Sequence, residues 1–213
     1  MEFISQELDD YVCSHTEQES ELLYELNRRT HLEVLQPRML SGQFQGRALS
    51  MFSHMIQPKT ILEIGTYTGY SAMCMAEGLA EGGKVITIDK NEELEDIVKE
   101  MFLKAGLAET IDFKIGNAME IVPKLDEEFD LVFIDADKSN YGNYYDMVID
   151  KVPSGGYILL DNVLWSGKVL KEAEPNDIDT KELISLNKRL HEDERVQNII
   201  LPIRDGLTIL RKK

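Results

Sequence analysis

From Thr60 onward, short runs of β-branched and aliphatic residues alternate with helical stretches, and this alternation limits the fold more than any other feature. The runs are Thr60–Ile64, Lys84–Asp89, Ile111–Ile115, 131–135, Tyr157–Asp161, 196–202 and 207–211. Helical patterns fall between the first five at 71–80, 92–105, 118–123 and 141–152, and another at 183–192 precedes the sixth. A strand joined to the next through a helix makes a parallel pair, because the crossover returns the chain to the same end of the sheet. Runs as uniformly apolar as LVFI and YILL suit strands covered on both faces. Only residues 204–206 separate the last two runs, a hairpin-length break that makes one of them antiparallel to the rest. The expected fold is α/β: a seven-stranded, mainly parallel sheet with helices on both faces and an antiparallel C-terminal strand.

Residues 1–57 read as a helical segment ahead of a core at 58–213. Phe3, Ile4, Leu8, Tyr11 and Val12 fall near helical spacing. A second helix carries Leu22, Leu23 and Leu26, with Arg28 and Arg29 towards its end, where cations suit the helix dipole. Pro37 closes a break, and 41–56 reads as a third helix. No repeat and no Pro/Gly/Ser-rich linker divides the chain, so 1–213 is expected to be one domain. With 213 residues, 43% hydrophobic and 29% charged, the chain can bury a substantial core. No apolar run approaches the roughly 20 residues of a membrane span. The acidic start, MEFISQELDDYVCSHTEQESE, lacks the basic region and apolar core of a secretory signal. Cys13 and Cys74 sit in no CxxC or Cys/His spacing and read as reduced thiols of a cytoplasmic protein. A net charge of −16 repels phosphate backbones and gives no support for an anionic membrane surface.

In open α/β sheets, ligands bind beyond the carboxyl ends of the strands. Glu63-Ile64-Gly65-Thr66-Tyr67-Thr68-Gly69-Tyr70-Ser71 stands at the first such end. Gly65 and Gly69 allow a sharp turn and close approach of backbone to a ligand. Their spacing is GxxxG, so the three-glycine pattern of pyrophosphate binding, and with it an NAD oxidoreductase, is disfavoured. A carboxylate at Glu63 suits a cationic ligand such as S-adenosylmethionine (SAM), although such a glycine pair also serves plain helix packing. Asp89 ends the second run, where an acidic side chain accepts from ribose hydroxyls or caps the next helix. After the third run, GNAME offers Ala118 and Met119 as one wall of an adenine slot.

The fourth and fifth runs end in Asp135-Ala136-Asp137-Lys138 and Asp161-Asn162. Asp135, Asp161 and Asn162 thus bring three hard oxygen donors to neighbouring strand ends, a set that suits Mg²⁺ and leaves positions open for an acceptor. No histidine joins them, which disfavours zinc or iron. Lys138, beside such an ion, is placed to take a proton from an acceptor hydroxyl or to stabilise the oxyanion. An isolated DxxK is otherwise a surface ion pair. The recurrence of acid and amide at the next strand end favours the metal reading.

Together MLSGQFQG, LEIGTYTGYSA, ITIDKN, FDLVFIDADKSNY, LLDNVLWSGKV and IRDGLTILRK resemble the cation-dependent O-methyltransferases, the family that includes catechol O-methyltransferase and caffeoyl-CoA O-methyltransferase. The likeness runs over residues 4–211. It implies a Rossmann-like SAM-dependent methyltransferase sheet and a homodimer. It implies a divalent ion (Mg²⁺, or Mn²⁺ or Ca²⁺) on Asp135, Asp161 and Asn162, with Lys138 as base. It implies SAM contacts from Met39, Ser41, Glu63, Gly65, Tyr67, Ser71, Asp89 and Ala118, and from Asp135 to the SAM amino group. The expected reaction is O-methylation of a small catechol-type aromatic. The alternative within the family is a tRNA hydroxyuridine O-methyltransferase, for which Arg28, Arg29, Arg38, Arg47, Lys168 and Lys171 would have to ring the entrance. A SAM-binding protein without catalysis is the third reading, and the intact acidic set and Lys138 argue against it. Mammalian catechol enzymes carry bulky aromatic residues around the acceptor; Leu40 and Asp137 stand at positions that could carry such walls here, and Trp165 is expected either at the pocket mouth or as an ordinary partly buried aromatic. His15, His31, His54 and His191 match no catalytic position.

Overall fold

The computed structural model describes residues 5–213; Phe3 and Ile4, assigned above to the first helix, lie outside the described residues. Helix α1 spans Gln6–Ser14 and is capped by Ser5, whose side chain accepts from the Leu8 N–H. Helix α2 (Glu21–Glu33) starts likewise from Ser20 and buries Leu23 and Leu26. A single 3-10 turn, Pro37–Met39, leads into α3 (Gly42–Ile56). The alternation then proceeds as β1 (Thr60–Ile64), α4 (Tyr70–Ala76), β2 (Lys84–Asp89), α5 (Glu95–Lys104), β3 (Ile111–Ile115), α6 (Ala118–Ile121), β4 (Leu131–Ile134), α7 (Tyr141–Val148), β5 (Tyr157–Asp161), α8 (Ile178–Glu192), β6 (Val196–Leu201) and β7 (Leu207–Lys212).

The sequence pattern misplaces several boundaries, each for a local reason. Asp135 lies just past β4 rather than at its end. The helix expected over 71–80 stops at Ala76, where Gly78 passes against the backbone of Ser53 and His54. Helix α8 begins ahead of residue 183 because the Asp177 side chain caps it, accepting from the Thr180 N–H at 3.1 Å. The remaining expected helices begin or end in 3-10 turns at Glu92–Leu94, Val122–Lys124 and Ile149–Lys151.

The seven strands form one sheet in the order β3-β2-β1-β4-β5-β7-β6. Strands β1 to β5 pair in parallel, and β7 runs antiparallel to both β5 and β6. Successive side chains of a strand face opposite ways, and β4 displays both layers. Val132 and Ile134 join a core with Tyr141, Tyr145 and Val148 of α7 and Leu183, Leu186 and Leu190 of α8. Leu131 and Phe133 join the opposite core, built from Leu26 of α2, Leu49 of α3, Met73 and Met75 of α4 and Val98 and Phe102 of α5. No helix among the described residues is long and apolar enough to cross a membrane.

The chain lays down β1, β2 and β3 in one direction and then returns to place β4 on the other side of β1. Connections leaving β1 and β4 part at that switch point, which opens the crevice used by ligands in such sheets. The two strand ends nearly touch there. Gly65 has φ +103°, and a Cβ on it would fall 1.9 Å from the carbonyl oxygen of Asp135. Gly65→Ala therefore meets both a disfavoured backbone conformation and an immovable oxygen, and a loss of about 3 kcal/mol or more is expected. Urea unfolding of the variant against the wild type measures it; a loss below about 1 kcal/mol would mean that the two loops part easily.

Candidate active site

The turn after β1 is built on a buried acid. Glu63 is fully buried and accepts from Ser71 Oγ at 2.5 Å and from Thr87 Oγ1. Thr66 Oγ1 and Thr87 Oγ1 share a further hydrogen bond of 2.6 Å. Burial pushes the Glu63 carboxyl up to about 8; the Ser71 and Thr87 hydroxyls hold it down, and the charges of Asp135 and Asp89 push it further up. Glu63 thus lies beneath the glycine turn and fastens Ser71 to β2.

Asp89 closes the turn from the neighbouring strand. It accepts from the Tyr67 N–H at 2.7 Å and from the Asn91 N–H at 2.9 Å. Capping of the next helical turn falls to Asn91, whose side chain accepts from the Glu93 N–H at 3.1 Å. Tyr67, with φ 50°, sends its hydroxyl to the carbonyls of Gln36 and Leu35 at 3.2 and 3.4 Å. It thereby ties the turn to the segment that carries exposed Met39 and buried Ser41. Ala118 is buried at the start of α6, with Met119 partly exposed beside it.

Two carboxylates meet at the ends of β4 and β5. The register pairs Ile134 with Leu160, so Asp135 and Asp161 follow side by side. Lys138 is 6% exposed, which rules out a surface ion pair with Asp135. Its Nζ donates to Asp135 Oδ1 and the Ala136 carbonyl, both at 3.1 Å, and to Tyr141 Oη at 2.5 Å. Tyr141 Oη in turn donates to the Asp161 carbonyl at 3.0 Å. The Asp161 carboxylate accepts from Gln45 Nε2 at 2.7 Å and from the Asn162 N–H at 2.8 Å. Burial, then the charge of Asp135, pushes Asp161 up to about 6 against the pull of Gln45 and Lys138. Asn162 has φ 58°.

The residues expected around the acceptor separate. Leu40 is buried in the core with Leu49 and Leu207. Asp137 accepts from Tyr144 Oη at 2.7 Å and from Asn140 Nδ2. Trp165, with φ 48°, lies 5.9 Å from Lys138 Nζ at its ring centroid, and its buried Nε1 has no partner. Three of the six cations that a tRNA would need are held in ion pairs. Arg29 pairs with Glu33 and Glu100, Arg47 with Glu77, and Lys168 with Asp177. His15, His31 and His54 turn a ring nitrogen to the carbonyl four residues earlier, and His191 is exposed.

Sequence reasoning missed Gln45, Thr87, Tyr141 and Arg204. Gln45 left one faint signal, a polar residue on the face of α3 that also buries Gly46, Leu49 and Ser53.

A profile of the O-methyltransferase family matches residues 13–213. Caffeoyl-CoA O-methyltransferase of Petroselinum crispum is 38% identical over 188 residues, which cover 82% of this chain and 77% of that protein. The SAH-bound methyltransferase PaMTH1 of Podospora anserina shares the fold with a TM-score of 0.88 at 28% identity, over 99% of this chain and 97% of that one. The O-methyltransferase TomG of Streptomyces achromogenes, involved in tomaymycin synthesis and solved with SAM, has a TM-score of 0.88 at 26% identity, over 99% of this chain and 100% of that one.

The raised Glu63 carboxyl makes stability depend on pH. Between the ordinary carboxylate range and about 8, the folded chain holds a proton that the unfolded chain has lost. Stability from this group is therefore full below the unfolded pKa, falls as pH rises through the window, and levels off above it. Glu63→Gln removes the titration, so the difference in urea midpoint should move in favour of the variant between about pH 5 and about pH 8. A difference that stays constant over that range would show that Glu63 is ionised throughout.

Proposed function

The chain belongs to the O-methyltransferase family, and we propose that it transfers a methyl group from SAM to a hydroxyl of a small catechol-type aromatic, with a divalent cation held by Asp135, Asp161 and Asn162. One observation carries this reading: two carboxylates share the ends of neighbouring strands, and burial together with the Asp135 charge pushes Asp161 up to about 6. A cation between them would relieve that repulsion. Hard oxygen donors without thiol or imidazole suit Mg²⁺, Mn²⁺ or Ca²⁺. Among the described residues no three His, Cys, Asp or Glu side chains form a metal cluster by themselves, so the Asn162 amide is the third donor in this reading. Such an ion, when bound, lowers the pKa of a hydroxyl brought to it.

The chain's own residues account for the rest. Asp89 accepts from the ribose hydroxyls, and Gly65 and Tyr67 bring the turn close to the ligand. Met39, Ser41, Ser71 and Ala118 complete the SAM site, with Glu63 beneath Ser71 and Asp135 meeting the SAM amino group. Lys138 is the catalytic residue. Its Nζ is held by Asp135 Oδ1, the Ala136 carbonyl and Tyr141 Oη. It stands beside the developing oxyanion, to stabilise it or to pass the hydroxyl proton on towards solvent. The acceptor oxygen attacks the methyl carbon in line, the carbon–sulfur bond breaks, and the hydroxyl proton leaves to solvent. Most of the rate then comes from positioning. Residues 1–213 act as one catalytic domain, and the exposed Leu8, Tyr11, Tyr24 and Leu32 of α1 and α2 supply apolar surface for a homodimer.

Two adjacent oxygens on the acceptor would serve the open positions best, one methylated and the other anchoring. The named acceptor of the caffeoyl-CoA relatives carries such a pair on its ring. The paired state of Arg29, Arg47 and Lys168 supports a small acceptor over tRNA. Asp161→Ala is expected to abolish turnover of a catechol with labelled SAM, and EDTA to do the same to the wild type until Mg²⁺ or Mn²⁺ is restored. Full activity in excess EDTA refutes the metal part of the mechanism. Turnover of unmodified tRNA with far higher kcat/KM than any catechol would overturn the acceptor class alone. Asp89→Ala should weaken SAM binding by about 1–3 kcal/mol in calorimetry, through lost charge-assisted bonds. Light scattering at micromolar concentration tests the dimer, and a monomer there removes it.

A further inference from the structure

Gln45 is 2% exposed and comes from α3, far along the chain from the acidic strand ends. A buried amide is costly unless both of its ends are paired. Here both are. Gln45 Nε2 donates to Asp161 Oδ2 at 2.7 Å, and Gln45 Oε1 accepts from Arg204 Nη1 at 3.1 Å. Arginine has donors only, so its position fixes the direction of the amide: the oxygen must face Arg204 and the nitrogen must face Asp161. Arg204 is itself held in place. It lies between β6 and β7 with φ 47°, and its Nη1 also donates to the carbonyls of Leu40 and Ser41.

The consequence falls on Asp161. Its Oδ1 accepts from the Asn162 N–H and its Oδ2 from Gln45, so each oxygen has one donor and the carboxylate plane is pinned at both ends. One lone-pair position on each oxygen remains. We propose that Gln45, aimed by Arg204, is a positioning residue for Asp161 that fixes which carboxylate lone pairs stay free for a divalent cation. This rests on the reading of Asp161 as a metal ligand. Arg204 reaches Asp161 through Gln45 and holds the Leu40 and Ser41 carbonyls besides. A cross-link that merely tied α3 to the β6–β7 connection would change the stability of the chain and leave cation affinity alone.

The test is Mn²⁺ binding to the full chain in the presence of SAM, followed by the EPR signal of free Mn²⁺. Gln45→Met keeps the length of the side chain and removes both of its polar atoms. It should weaken Mn²⁺ about 10–100-fold, the usual cost of losing a partner of a metal ligand. SAM affinity, measured by calorimetry, should stay within about threefold. Arg204→Met should weaken Mn²⁺ less, and the double variant should be no weaker than Gln45→Met, since one residue works through the other. Mn²⁺ affinity of Gln45→Met within about twofold of wild type, or additive losses in the double variant, overturns the proposal. Should Gln45→Met fail to fold, Arg204→Met decides, and unchanged Mn²⁺ affinity there overturns it equally. A wild type that binds no Mn²⁺ removes the metal reading and this inference together, whereas an unaffected Gln45→Met removes this inference alone.

Discussion

Asp161 is buried at its strand end beside the partly exposed Asp135 of the neighbouring strand, and much of the surrounding structure answers that constraint. A buried carboxylate costs several kcal/mol unless it is paired and hydrogen-bonded. The compensation comes from four residues in three parts of the chain. Lys138 supplies an ammonium from the turn before α7, Tyr141 holds that ammonium and the Asp161 carbonyl, Gln45 reaches over from α3, and the Asn162 N–H closes the second oxygen. None of these groups is placed by its own secondary structure alone. Each depends on the sheet bringing β4 beside β5 and on both cores keeping the strands in register.

Backbone conformation follows the same centre. Tyr67, Asn162, Trp165, Ser166 and Arg204 all have positive φ, and all lie in connections around the strand ends of the site. Such conformations cost of order 1–3 kcal/mol each and persist where packing over-determines them. Asn162 is one of these residues, and its N–H donates to the carboxylate of the residue before it. Trp165 and Ser166 are held in part by the β6–β7 connection, where Asp205 Oδ1 accepts from the Ser166 N–H at 2.5 Å.

The strands were legible because their composition is local: LVFI and YILL announce buried strands, and the acids that follow them announce strand ends. The parallel direction of the first five strands followed from the helices between them, whereas their order did not. Asp135, Lys138, Asp161 and Asn162 could be grouped from sequence because the fourth and fifth runs are consecutive, and consecutive strands neighbour one another more often than not. Gln45 and Arg204 could not, since their partners lie more than a hundred residues away in the chain and no periodicity encodes such a pairing. Glu63 was placed at the right turn, yet its burial beneath Ser71 depends on Thr87 in the adjacent strand, which reads as an ordinary β residue. The start of α8 was missed because Asp177 caps it from within a polar stretch that carries no apolar rhythm.

The position of β7 bears on how the chain comes off the ribosome. The last strand to be synthesised sits inside the sheet, between β5 and β6, and β6 has no other neighbour. Until those final residues emerge, β5 presents an open edge and β6 has nothing to pair with. Open strand edges invite pairing with other chains. The nascent sheet therefore carries its open edges until β7 is made. Arg204 emerges in the same final stretch, so the buried acids are completed by the same event that seals the sheet. The sheet closes only when β7 enters between β5 and β6, so it is completed in one step rather than by degrees.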